Sequence, residues 1–157
     1  MREIVLECKP DEALIKTLGY ARKMIMHQSS RGEVINYLKN NPDAIGIIDD
    51  DPGSAKPTYF SKFQSETTEK FNTESYCIPK LQTRLIVIKP RLEEWILKRA
   101  AESGIDTTQY SLPNDGHELH KIINTRLPRF EAMIREMLSK KNAGLLHLKE
   151  LIERKPK

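Results

Sequence analysis

The sequence predicts an α/β fold built on a parallel sheet. Three observations carry that prediction. Short, β-branched apolar runs alternate with amphipathic stretches over the first fifty or so residues, in the order β-α-β-α-β. That alternation implies parallel strands joined by right-handed crossovers. The third run, "AIGIID" at 44–49, is nearly all apolar, as expected of a strand covered on both faces. A further run of the same kind, "RLIVIKP" at 84–90, leads straight into another helical pattern. The expected architecture is a sheet of about four mainly parallel strands flanked by helices, with a helical C-terminal part. Residues 1–157 then form one domain: an α/β core over 1–104 and helices packed on it over 105–157.

Each element has its local reason. "REIVLE" (2–7) is a short buried strand that ends in charge. A helix over 10–23 follows, with Pro10 at a first helical position, Asp11 and Glu12 in the first turn, and Leu14, Ile15 and Leu18 on one face. "MIMHQ" (24–28) is a weaker strand. Ser30 caps the next helix, with Glu33 three residues on as a capping box, and Val34, Ile35 and Leu38 face inward. "NNPD" ends that helix before the strand at 44–49. Residues 52–80 are polar and turn-rich, with a short helix expected around 61–71. The helix at 91–104 buries Leu92, Trp95, Ile96 and Ala100 and stops at Gly104. Helices at about 116–125, 128–141 and 143–154 complete the chain. Phe130, Met133, Ile134, Met137 and Leu138 form one apolar stripe, and Leu145, Leu148, Leu151 and Ile152 another.

Composition narrows the function classes. The chain has 157 residues and a formal net charge of +4, compatible with a polyanionic partner. No apolar stretch is long enough to span a bilayer, and no membrane partner is expected. "MREIVLECKPDE" reads as a strand followed by charges, not a signal peptide. Only Cys8 and Cys77 are present, which argues against a disulfide framework or a cysteine zinc site and makes the cytoplasm the expected location.

The chemistry sits at the strand ends. "AIGIIDDDPG" at 44–53 closes a buried strand with three aspartates. In an extended segment residues two apart point the same way, so Asp49 and Asp51 share a side while Asp50 turns away. Glu7 closes the first strand. In a parallel sheet both groups of acids reach the same edge, the edge where ligands bind. Carboxylates crowded together hold their protons more tightly unless a cation relieves the repulsion. Hard divalent cations take carboxylate oxygens and keep waters for a phosphate substrate. The expected cofactor is therefore Mg2+ or Mn2+.

"IVLECKPDEALIKTLG" and "IGIIDDDPG" together resemble the two signatures of Toprim domains: a strand ending in Glu before an amphipathic helix, and a strand leading into Asp-x-Asp. The resemblance covers about residues 3–53 and extends to the Toprim modules of ribosomal RNA maturases and OLD-type nucleases. It implies a Rossmann-like sheet, magnesium and phosphodiester chemistry on DNA or RNA. Glu7 matches the family's acid/base glutamate, Asp49 and Asp51 its metal-binding aspartates, and Asp11 a commonly acidic helix position. Cys8 stands where the family usually carries Gly. There is no zinc module or tyrosine domain in this sequence, which turns expectation away from primase and topoisomerase activities. "IKPRLEEWILKRA" (88–100) resembles an element of small Toprim-like bacterial proteins, some linked to phage defence. It adds Glu93 as a ligand for a second metal, and Lys89 or Arg91 to hold a phosphate or steady a departing oxygen.

The resulting expectation is a metal-dependent nuclease with catalytic Glu7 and Lys89, metal ligands Glu7, Asp49, Asp51 and Glu93, and Asp11, Asp50 and Arg91 in support. The competing expectation is a non-catalytic Toprim-like module that binds nucleic acid or a protein partner, with a homodimer also open. Two other phosphotransfer folds place Asp at strand ends. In a receiver the acids close the first strand, whereas here they close the third. In a HAD-type fold Thr or Val stands where this chain has Gly53. "HELH" at 117–120 reads as a decorated helix start and His27 as a surface histidine. Lys121, Arg126, Arg129, Arg135, Lys140 and Lys141 form either a phosphate-contacting face or a solvated one.

Overall fold

A computed structural model describes residues 2–50 and 58–154 of the chain. The fold is α/β, with a six-stranded mixed sheet in the order β2-β1-β3-β6-β5-β4. β1 (Ile4–Leu6) pairs in parallel with β2 (Ile25–His27) and with β3 (Ile45–Asp49). β3 pairs in parallel with β6 (Arg84–Ile88), Asp49 lying opposite Ile88. The expected sheet of about four strands is therefore corrected to six: the parallel run is extended by β5 (Thr73–Cys77) and β4 (Gln64–Ser65), both antiparallel to their neighbours.

The strand alternation sorts two cores. Ile4, Leu6, Ile45, Ile47, Ile86 and Ile88 face one side, where α1 (Lys9–Thr17), α3 (Leu92–Glu102), α5 (Leu127–Ser139) and α6 (Ala143–Glu153) pack. Val5, Ile48, Leu85 and Val87 face the other, against Val34, Ile35 and Leu38 of α2 (Arg31–Asn40). The stripe Phe130, Met133, Ile134 and Met137 shares the first core, so the C-terminal helices are packed on the sheet. With α1 and α2 on opposite faces and β2 and β3 on opposite sides of β1, the winding reverses between β1 and β3. A crevice at the carboxyl ends of these two strands is the ligand position such a reversal creates.

Two sequence expectations shift. The helix expected over 10–23 ends at Thr17. Gly19 takes φ +111°, and the N–H groups of Gly19 and Tyr20 close back on Lys16 and Ile15, a Schellman stop that needs a residue without Cβ. Gly104 ends α3 in the same way, as expected, at φ +69°. The helix expected near 61–71 is instead a 3-10 turn (Thr58–Lys62) followed by β4. Beyond β4, Lys70 and Thr73 exchange two 3.0 Å hydrogen bonds around Phe71 and Asn72, both at positive φ. That is a type I′ turn. Its Phe71 carbonyl accepts from Trp95 Nε1 (2.8 Å) and from Arg99 (2.5 Å), which ties the turn to α3.

The antiparallel extension is held by a buried arginine. Arg84 is 1 % exposed on a central strand. It meets Glu66 with two hydrogen bonds of 2.9 and 2.8 Å and donates to the Leu151 and Arg154 carbonyls at the end of α6. A cation is favoured at a helix C-terminus. Removing the cation alone strands a buried carboxylate. Arg84→Met is therefore expected to destabilise the fold by about 3–5 kcal/mol, and adding Glu66→Met to recover much of the loss. Urea denaturation of the two variants checks both statements.

Candidate functional site

The reversal crevice opens into a cleft of about 380 Å³ lined by Glu7, Ser29, Ser30, Arg31, Asp49, Arg91 and His120. Each wall has a local cause. Glu7 follows β1, and Asp49 ends β3. Ser30 caps α2, its Oγ accepting from Glu33 N at 3.1 Å. The buried Arg31 next to it donates to the Asp49 carbonyl at 3.1 Å. Arg91 caps α3 and grips Glu94.

Behind the cleft lie two more carboxyls. Asp11 in the first turn of α1 is 4 % exposed and Glu93 in the first turn of α3 is 6 % exposed. Cys8 Sγ donates to Asp11 Oδ2 at 3.1 Å. Burial and then the Asp11 charge push the Cys8 thiol well above its ordinary range. Burial, reinforced by Glu7 and Glu93, pushes Asp11 up to about 7 against the Cys8 hydrogen bonds. Burial, then Asp11, Glu93 and Glu7, push Asp49 up to about 8 against a hydrogen bond from the Leu92 N–H. Four acids, from the end of β1, from α1, from β3 and from α3, thus feel one another. Asp11 Oδ1 and Glu93 Oε2 are buried with no hydrogen-bond partner among the described residues.

The residues singled out from the sequence are placed unevenly. Glu7, Asp49 and Arg91 line the cleft, and Asp11 and Glu93 act on it electrostatically. Asp50 continues the strand pairing, its N–H donating to Ile88 O at 2.8 Å. Asp51 lies outside the described residues. Lys89 does not line the cleft: its ammonium sits 2.8 Å from Glu74 and 2.9 Å from Glu69, and these hydrogen bonds raise its pKa. Sequence reasoning missed Arg31 and undervalued His120, whose Nδ1 is 2.8 Å from Glu93 Oε1. His27 pairs with Glu12 at 3.0 Å. Of the basic residues at 121–141, Lys121, Arg135 and Lys140 pair with Glu118, Glu131 and Glu136 on their own helices, as on a solvated face.

The donor set is made of carboxylate oxygens, the type a hard divalent cation takes. Among the described residues, however, no three His, Cys, Asp or Glu side chains already stand close enough to hold a metal ion. No helix among them is long and apolar enough to cross a membrane. No protein-family model, curated protein or solved structure matches the chain.

The raised acids predict a pH dependence. An aspartate in the unfolded chain loses its proton near about pH 4, whereas Asp11 and Asp49 keep theirs to about 7 and about 8. Over that window the folded state binds more protons, so stability falls as pH rises from about 4 to about 8 and levels off beyond. The Glu7 and Glu93 charges contribute to both raised values. In chelator, the unfolding free energy is expected to be lower at pH 8 than at pH 5, and Asp49→Asn to remove about 1 kcal/mol or more of that difference. Urea titrations at the two pH values measure it.

Proposed function

We propose that the chain is a Toprim-like, metal-dependent phosphodiester-cleaving protein whose site is this cleft. The observation that carries the reading is the placement of Glu7 and Asp49 on one cleft, with the buried Asp11 and Glu93 behind it. Such a group gains more from one divalent cation than from keeping extra protons. Bound Mg2+ or Mn2+ supplies charge neutralisation and polarisation of a phosphoryl oxygen. Glu7 and Asp49 are the ligands from the two strand ends, with Asp51 beside them in sequence. Glu7 also receives the proton of the attacking water. Arg31 and Arg91, as the cations on the cleft wall, attract the phosphate backbone of a nucleic acid, and the serines at the start of α2 offer hydroxyl donors to the same group. With Lys89 held by Glu69 and Glu74, leaving-group stabilisation falls to these arginines.

A second reading, a non-catalytic Toprim-like module that binds nucleic acid or protein, is favoured by the lack of three donors at metal-holding distance among the described residues. Labelled DNA and RNA, single-stranded and duplex, separate the two. Cleavage is expected with Mg2+ or Mn2+ and is expected to stop in chelator. Asp49→Ala with Asp51→Ala is expected to abolish it while circular dichroism stays unchanged. Undiminished cleavage by that double variant contradicts the assignment, and binding without cleavage in either ion supports the second reading.

A further inference from the structure

α4 (Gly116–Ile122) is fixed at its start and from below. Asp115 caps the helix, accepting from Glu118 N at 2.9 Å. Leu119, fully buried, ties it to the core that α3 and α5 share. The next residue, His120, then meets Glu93 in the first turn of α3.

That contact is asymmetric. The Glu93 side chain is 8 % exposed and the His120 side chain 59 %. His120 Nδ1 stands 2.8 Å from Glu93 Oε1. An ionised carboxylate only accepts, so the hydrogen between them sits on Nδ1. One ring nitrogen is thereby held, and Nε2 is left for the cleft that His120 lines with Glu7, Asp49 and Arg91. A carboxylate that orients an imidazole through Nδ1 is how a histidine is aimed at an oxygen that gains or loses a proton. In the reaction assigned to this cleft Glu7 takes a proton. The complementary task, giving one to the departing oxygen, still needs a group. Lys89 is held away by Glu69 and Glu74, and the arginines on the wall do not release their protons.

We propose that His120 is the general acid of phosphodiester cleavage, giving its Nε2 proton to the leaving oxygen, and that Glu93 is its positioning residue and not a metal ligand. The proposal rests on the cleft being the phosphodiester site and names the group that completes its chemistry. An imidazolium donates from both nitrogens, here from Nδ1 to Glu93 and from Nε2 to the substrate. Water oxygen bonds to phosphorus while its proton passes to Glu7. The bond from phosphorus to the leaving oxygen breaks, its electron pair stays on that oxygen, and the oxygen takes the Nε2 proton. Neutral His120 keeps its Nδ1 hydrogen on Glu93 and regains the other proton from solvent, which its exposed side chain reaches. The step asks nothing of the imidazole except to stay where Glu93 holds it.

The test compares two substrates in the full chain: labelled single-stranded DNA and RNA oligonucleotides, and bis(p-nitrophenyl) phosphate, whose leaving oxygen departs as a stable anion and needs no proton. His120→Ala is expected to lower kcat on an oligonucleotide by about 100-fold or more and to leave cleavage of the activated diester nearly unchanged. Added imidazole is expected to restore part of the lost oligonucleotide cleavage. Glu93→Gln is expected to show the same split with a smaller loss. Asp49→Ala is expected to lose both substrates. If His120→Ala cleaves oligonucleotides at the wild-type rate, or loses both substrates equally, the assignment of His120 is overturned and the cleft reading stands. If the wild-type chain cleaves neither substrate with Mg2+ or Mn2+, both fall.

Discussion

Strands that run the same way end at the same edge of a sheet. That constraint decides where the chain's acids meet. β1 delivers Glu7 and β3 delivers Asp49, and the first turns of α1 and α3 add Asp11 and Glu93. Burial makes the repulsion among them expensive, because a buried charge loses its hydration and sees its neighbours through a low dielectric. The chain answers in part. The Leu92 N–H and the Cys8 thiol donate to the aspartates, and Arg91 stands nearby, already engaged with Glu94. The rest of the imbalance is left as raised proton affinity.

The remaining architecture serves to hold those elements in register. α3 matters most, since its first turn carries Arg91, Leu92 and Glu93 together. Its middle is fixed by Trp95 and Arg99, both donating to the Phe71 carbonyl, with the Arg99 guanidinium 5.1 Å over the Trp95 ring. Asn142 reaches the same helix from the start of α6, donating to Arg99 O at 3.1 Å. At the opposite end of β6, Arg84 joins the hairpin extension to the end of α6. The site residues are thereby mounted on packed elements, where small displacements are resisted.

Much of this was legible in the sequence because apolar periodicity and parallel topology are both local-to-global rules with few exceptions. Strands ending in Glu7 and Asp49 had to share an edge once the order β-α-β-α-β was read. β5 was not legible. Its inward side chains are Thr73 and Ser75, both fully buried. They are satisfied by the Phe71 carbonyl and by Glu66, so the strand looks polar although it is covered. The turn before it places Phe and Asn where Gly is usual. His120 was passed over for a different reason: its partner is 27 residues away. Only the docking of the helix Gly116–Ile122 on α3 brings them together. Arg31 was hidden as a residue of an ordinary first helical turn.

The claim on which this account stands is that a divalent cation belongs at the carboxyl edge of the parallel strands. The most direct measurement is an anomalous difference map from a manganese-soaked crystal. The account predicts a single strong peak in the cleft, within coordination distance of both Glu7 and Asp49. A cleft without a peak at saturating manganese, its carboxyl groups unmoved, contradicts it.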